Sequence, residues 1–407
     1  MTPLLFTNGT VILEDRLQSP GNVETDGALI QSINARPLST RAKIVDLAGG
    51  YLTPGFVDLH VHGGAGADFM DATEDAFLRI CRAHARHGTT SLLPTSTVAR
   101  HEQLLGFLAV CASLKEKMTG GARILGAHFY GPYFAPQACG CHPVASVRPP
   151  EPAEFAAYLI NAAAIATATV APELPGAEVF VRACQERGIR CNAGHSHATF
   201  AQMEAAIGWG VRHVDHLFCA MSDRARLRQD QPFPMRGGVM EATLFFDELT
   251  TEVIADGKHL ARELLLLAHR IKGPERLALV TDCNRALDMP DGTYLFGPVD
   301  GGEPILRHDG VGMMPDRNAL ASGVQGMDHC VRTFHELTGV PLVEVVRMAS
   351  LTPAHIAGWS DRIGSIAPGK LADLVVLDQQ LRVRQVYVAG QCAWPDQGVV
   401  ASSPCGS

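Results

Sequence analysis

The sequence predicts an α/β fold: a (β/α)8 TIM barrel with a small β-sandwich domain formed from both chain ends. Three observations predict it. Eight strand-like runs, at 56–62, 89–95, 124–130, 167–171, 189–195, 211–217, 252–256 and 277–282, mostly alternate with helical patterns through the middle of the chain. Polar residues able to do chemistry gather at the C-terminal ends of those runs, where a barrel of this kind carries its site. β-like segments at the two ends bracket that middle. The expected boundaries are 1–54 plus 363–407 for the small domain and 55–362 for the barrel.

Length and composition agree. A chain of 407 residues is too long for one small core and fits one large barrel plus a smaller domain. The hydrophobic share of 46% and charged share of 19% are those of an ordinary globular protein. A net charge of −8 argues against nucleic-acid partners and against an acidic membrane surface. An anionic small substrate would need local cations to hold it. The eleven cysteines are an odd number with no CxxC, and no N-terminal stretch has the charged-then-apolar form of a secretory signal. No apolar run reaches the roughly 18 residues of a membrane span. The expectation is a cytoplasmic protein with reduced thiols, and Cys139 and Cys141, flanking Gly140, read as plain thiols.

Taken in order, Leu4 to Thr7, Thr10 to Leu13, Ala28 to Ile33 and Ile44 to Leu47 are β-like runs split by Gly, Asn and Pro. Pro54-Gly55 is a turn, and the apolar run behind it, Gly55 to His62, reads as a buried strand. Asp71 to Glu74 offers a capping box, and a helix should follow as far as Gly88. Ser196 or Thr199 can cap a helix ending near Gly208 to Gly210, and the Leu-rich helix Arg262 to Lys272 should stop at Gly273-Pro274. Gly364 to Lys370 is turn-rich and leads into strand-like runs at Ala372 to Asp378 and Arg382 to Val388. The tail after Trp394 has the composition of a poorly ordered end. There is no fixed-period repeat and no low-complexity segment.

The strand ends carry the chemistry. His60 and His62 are two apart on a strand, so both imidazoles face one way. Strand 3 ends in His128-Phe-Tyr-Gly-Pro132, strand 5 in Gly194-His195, strand 6 in Asp215-His216 and strand 8 in Thr281-Asp282. A single buried His is commonly a satisfied core residue. Four His and one Asp at the ends of four different strands point instead to a metal centre.

At these residues the sequence resembles the N-acetylglucosamine-6-phosphate deacetylases of the amidohydrolase superfamily, over nearly the whole chain. The matching pieces are Pro54 to Gly63, Thr169 to Glu173, Ala193 to Ser196, His213 to Met221, Ile254 to His259 and Leu279 to Asp282. Arg362 to Asp373 is common to many amidohydrolases and marks the superfamily alone. The resemblance implies that His195 and His216 bind metal, and that His60 and His62 match a pair that ligates in some members. It implies that Asp282 takes a proton from the attacking water and passes it to the leaving amine. It implies that His142 touches the substrate's acetamido group. Arg236 and His259 would hold a sugar phosphate, helped by the backbone near Cys219 and Ala220. A homodimer, in which a neighbouring chain lends phosphate contacts, is implied as well.

The chain also departs from that pattern. Tyr130 stands where the family has a metal-binding Glu, and a neutral phenol is a far poorer ligand than a carboxylate. The reading is therefore one zinc ion per chain, held by His60, His62, His195 and Asp282, with His216 as a further ligand or as a hydrogen-bonding catalytic His. Cys219 replaces an Asn, and Met235-Arg-Gly-Gly-Val replaces His-Arg-Glu-Pro-Gly, so the phosphate side is partly rebuilt. The leading expectation is deacetylation of an N-acetylhexosamine 6-phosphate. Deamination or another amide hydrolysis on the same scaffold, and a catalytically inactive amino-sugar-binding relative, stay open.

Overall fold

The protein is described by a computed structural model over residues 2–34, 42–230 and 233–395. Nearly all of the tail expected to be poorly ordered, from residue 396 on, lies outside the described residues. Among the described residues eight parallel strands run through the middle of the chain. We number them β1 (Phe56–Val61), β2 (Thr89–Pro94), β3 (Ala127–Tyr130), β4 (Ile165–Val170), β5 (Arg190–Ala193), β6 (Val211–Val214), β7 (Thr250–Ile254) and β8 (Leu277–Val280). β3 to β8 pair in chain order as one parallel sheet, and β1 pairs with β2 in a second. Single parallel bridges, Thr95 to His128 and Val61 to Cys283, join the two arcs at both seams. Every residue of β1 and β2 is buried. Burial on both faces is why these strands read as continuous apolar runs rather than alternating ones.

The helices pack outside the strands. α1 (Glu74–Arg86) is capped by Thr73, whose hydroxyl accepts from Ala76 N, so the cap lies two residues after the expected Asp71. Asp71 instead closes the short turn before it, accepting from Asp68 N at 2.9 Å. Phe56, Phe69, Phe77 and Phe107 are fully buried around α1, each contributing about 1.5–3 kcal/mol of hydrophobic stabilisation. α2 (Phe200–Trp209) starts on the reciprocal Thr199–Gln202 capping box and stops at Gly210. α3 (Arg224–Asp230) follows β6, α4 (Arg262–Lys272) stops at Gly273 as expected, and α5 (Met327–Thr338) follows β8.

The two chain ends interleave. Among the described residues they form one eight-stranded sheet in the order Gln391–Trp394, Val383–Val388, Leu374–Leu377, Tyr51–Pro54, Leu4–Ile12, Leu17–Asp26, Leu29–Asn34, with Lys43–Asp46 also paired to Leu4–Ile12. Leu4–Ile12 is one strand where two runs were expected; it bends at Asn8, whose φ of 62° breaks the register with Leu17–Asp26. The sheet has its own core of Phe6, Val11, Val23, Leu52, Leu374 and Tyr387. Arg123, at the end of the segment beside β2, reaches across to Asp373 with a two-pronged ion pair of 2.6 and 3.1 Å. After β8 the chain inserts a three-stranded antiparallel sheet, Gly292–Phe296, Glu303–His308 and Val311–Met313. Phe296 from this insert packs edge-on against His62 and His142.

Candidate active site

The C-terminal ends of β1, β3, β5, β6 and β8 converge on a cavity of about 360 Å³. His62, Tyr130, His142, His195, His216 and Asp282 line it, and His60 lies fully buried behind them. His195, His216 and Asp282 sit at φ of 45°, 25° and 48°, in the left-handed region. A non-glycine residue there costs of order 1 kcal/mol or more. Three such residues at the strand ends turn side chains inward that a relaxed backbone would not.

The donor atoms of His60, His62 and Asp282 lie within 4.8 Å of one another. Asp282 Oδ1 is 3.2 Å from His62 Nε2 and 3.6 Å from His60 Nε2. His60 Nδ1 donates to Glu252 Oε1 at 2.7 Å, which leaves Nε2 facing the cluster, buried and without a hydrogen-bond partner. A buried orphan nitrogen beside a carboxylate and a second imidazole suits a divalent cation. Electrostatics agree. Burial pulls His60 down, but the Asp282 and Glu252 carboxylates outweigh it and push the imidazole up to about 9. Burial opposes ionisation of Asp282, yet His60 and His62 hold its carboxyl well below the usual range. A bound cation would replace the His60 proton in that field.

His195 and His216 stand next to this cluster without joining it. Their rings are 5.1 Å apart, and the His216 ring is stacked 5.3 Å from His60. His195 donates Nδ1–H to Ala138 O at 2.7 Å, so Nε2 is its free ligand nitrogen. Gly140, at φ 60°, lets the 138–142 loop come this close: a Cβ there would lie 3.2 Å from the His195 ring. The Tyr130 hydroxyl occupies His216 Nε2 at 2.6 Å. Burial, with His60 beside it, holds His216 down at about 4, so the ring is neutral. His142 Nδ1 accepts from Val98 N at 3.4 Å, which puts the ring proton on Nε2, and burial keeps the imidazole neutral.

Cys219, Ala220 and His259 line the same cavity. His259 Nδ1 is held by Asp256 Oδ2 at 2.8 Å; burial works against its charge, but Asp256 raises the imidazole above its ordinary value. Arg236 does not reach the cavity: it is exposed on the loop that follows α3. The cation that does line it is Arg226, on α3, with Nη1 donating to Met221 O at 3.1 Å. Asp223 caps that helix at the Ala225 and Arg226 amides, 2.9 and 2.8 Å away. Arg226 lies five residues beyond Met221, so its closeness to the His213–Met221 run was the available signal. Glu252 was also missed, although a lone acid inside the apolar run of β7 is itself a signal. All ten cysteines among the described residues are free thiols.

The family model described as "Amidohydrolase family" matches residues 51–395. N-acetylgalactosamine-6-phosphate deacetylase of Escherichia coli O157:H7 is 34% identical over 366 residues, covering 90% of this chain and 92% of its own. N-acetylglucosamine-6-phosphate deacetylase of Bos taurus is 33% identical over 86% of this chain and 85% of its own. A variant of the N-acetyl-D-glucosamine-6-phosphate deacetylase from Mycobacterium smegmatis, solved with N-acetyl-D-glucosamine-6-phosphate, superposes with a TM-score of 0.88 at 31% identity, over 97% of this chain and 100% of that one. The two arcs of parallel strands and the terminal sheet fall within the share of the chain that superposes. The match over most of the chain, together with the imidazole and carboxylate cluster at the strand ends, places the chain in the amidohydrolase family of metal-dependent hydrolases, in the branch of the N-acetylglucosamine-6-phosphate deacetylases.

Proposed function

We propose that the chain deacetylates an N-acetylhexosamine 6-phosphate, releasing acetate and the amino sugar phosphate. The observation that carries this reading is Asp282, held between His60 and His62 in a cavity that Arg226 and His259 also line. His60, His62 and Asp282 would hold one zinc ion, with His195, beside their cluster, drawn in as the fourth ligand. When bound, such an ion polarises the amide carbonyl and makes water a nucleophile near neutral pH. The chain's own groups do the rest. The Asp282 carboxylate accepts a proton as water adds to the carbonyl carbon, and delivers it to the nitrogen as the carbon–nitrogen bond breaks. His142 Nε2–H points a donor at the acetamido group. Arg226 and His259 supply the positive side for the phosphate, with the backbone at Cys219 and Ala220 beside them.

The same reading takes the two arcs as one closed barrel of residues 55–362 and the terminal sheet as a β-sandwich lobe of 1–54 and 363–407. The working form is a cytoplasmic homodimer. No helix of the described residues is long and apolar enough to cross a membrane, in keeping with that reading.

The test is acetate release from N-acetylglucosamine 6-phosphate, N-acetylgalactosamine 6-phosphate and their unphosphorylated forms, with elemental analysis of the same sample. Acetate from a phosphorylated sugar, lost about 10³-fold in Asp282→Asn with zinc present, is expected. Ammonia in place of acetate points to a deaminase. Metal-loaded protein that releases neither overturns the enzyme reading.

A further inference from the structure

Glu252 lies inside β7, on a strand whose other inward positions are apolar or hydroxylic, and it is 1% exposed. An ionised carboxylate in such a place costs several kcal/mol unless it is fully paired. Here it is. Oε1 accepts from His60 Nδ1 at 2.7 Å and from the His216 amide at 3.3 Å, while Oε2 meets His213 Nε2 at 3.2 Å. His213 is itself anchored, with Nδ1 on Thr250 Oγ1 at 2.8 Å, and the Thr250 hydroxyl donates to Arg212 O at 3.1 Å. The chain of contacts runs from the start of β7 up the barrel interior to His60. The links among His60, Glu252, His213 and the His216 amide are buried, while the Thr250–Arg212 contact at the start of β7 is exposed.

We infer that Glu252 is a positioning residue of the metal centre: it turns the His60 ring so that Nε2 faces His62 and Asp282, and His213 braces it from the side away from the cavity. A metal-ligating imidazole whose other nitrogen donates to a carboxylate is locked in one orientation and is a stronger donor. Without Glu252 the His60 ring has no partner for Nδ1 and can present either nitrogen. The inference rests on reading the cavity as a metal centre, and it goes beyond that reading by assigning a role to two residues that touch neither metal nor substrate.

The experiment starts from zinc-loaded protein equilibrated against buffered Zn²⁺ and graded chelator, with bound ion read by elemental analysis. Glu252→Gln keeps an acceptor for His60 but removes the charge. Its zinc affinity should fall about 10- to 100-fold, with the ion count at saturation unchanged. His213→Gln leaves the His60–Glu252 contact in place and should lose affinity by about five- to tenfold. If Glu252→Gln gives no folded protein, His213→Gln decides alone. Affinities within about threefold of the parent in the folded variants, accompanied by nothing more than a lower unfolding midpoint after chelation, make Glu252 a structural residue and overturn the inference. A parent chain that takes up no zinc overturns the metal reading itself, which separates the two failures.

Discussion

The Tyr130 hydroxyl and His216 Nε2 lie 2.6 Å apart in the candidate site, so the phenol holds the ring nitrogen that would otherwise face a second ion. Burial, with Asp215 and Asp282 nearby, pushes this hydroxyl well above its ordinary range, which keeps it neutral and a donor. On the proposed one-zinc reading, Tyr130 is the group that limits the centre to a single ion. Tyr130→Phe should still bind one zinc per chain. Tyr130→Glu should bind two, because the new carboxylate would draw His195 and His216 into a second ligand set while His60, His62 and Asp282 keep the first. The metal-free Tyr130→Glu variant should be less stable than the parent, since it buries an extra acid, and zinc should restore it. Elemental analysis and unfolding midpoints with and without zinc check this. Two tightly held ions in the parent chain would sink it.

Arg226 and Arg236 make opposite predictions. Arg226 lines the cavity and Arg236 is exposed on the loop beyond it. A charge-assisted hydrogen bond contributes about 1.5–3 kcal/mol, so Arg226→Ala should raise KM for a phosphorylated sugar about 10- to 100-fold. It should leave the unphosphorylated sugar unaffected. Arg236→Ala should change neither. Steady-state kinetics on the two substrates decides, and a loss confined to Arg236→Ala would assign the phosphate to the other arginine.

Much of the fold was legible because its elements obey local rules. All eight parallel strands fall on the expected runs, to within a few residues, because a strand buried on both faces shows mostly apolar or small residues. Thr199 and Gly273 mark helix ends by capping chemistry that needs no tertiary context. Leu17–Asp26 was not legible: Gln-Ser-Pro-Gly-Asn has no period of two, and its neighbours in the sheet impose the strand. The insert of Gly292–Met313 hides for the same reason, and it brings Phe296 onto His62. At the site, strand-end residues could be read from position. Glu252 and Arg226 gave only a positional hint, since their roles depend on which distant side chain meets them.

The Asp373 that closes the superfamily motif acts on stability. Its carboxylate takes both prongs of Arg123 and also the Ala389 amide at 2.7 Å, which ties the terminal sheet to the barrel. Both partners are buried. Removing one leaves an unpaired buried charge, so Asp373→Ala should cost about 3–5 kcal/mol in denaturant unfolding. The double change Arg123→Met with Asp373→Leu should recover most of that. A single-variant loss under about 1 kcal/mol would contradict the argument.

His87 makes stability depend on pH. It caps the C-terminal end of α1, with Nε2 on Asp288 at 2.9 Å and Nδ1 on Asp328 at 3.0 Å. Asp288 belongs to the loop that leaves Asp282, and Asp328 opens α5, so one imidazolium joins three segments around the site. Burial lowers His87, but the two carboxylates outweigh it and push the ring from 6.5 up to about 9. The folded value is above the unfolded one. Below pH 6.5 both forms carry the proton and the full contribution is present. Between 6.5 and 9 the unfolded chain sheds the proton first, and the contribution fades; above 9 it is gone. The difference is worth about 3 kcal/mol at most. His87→Gln should therefore lose stability against the parent near pH 6 and match its pH-dependent part near pH 9.5, read as urea midpoints across that range. A gap that stays constant over the range would mean that His87 packs rather than pairs.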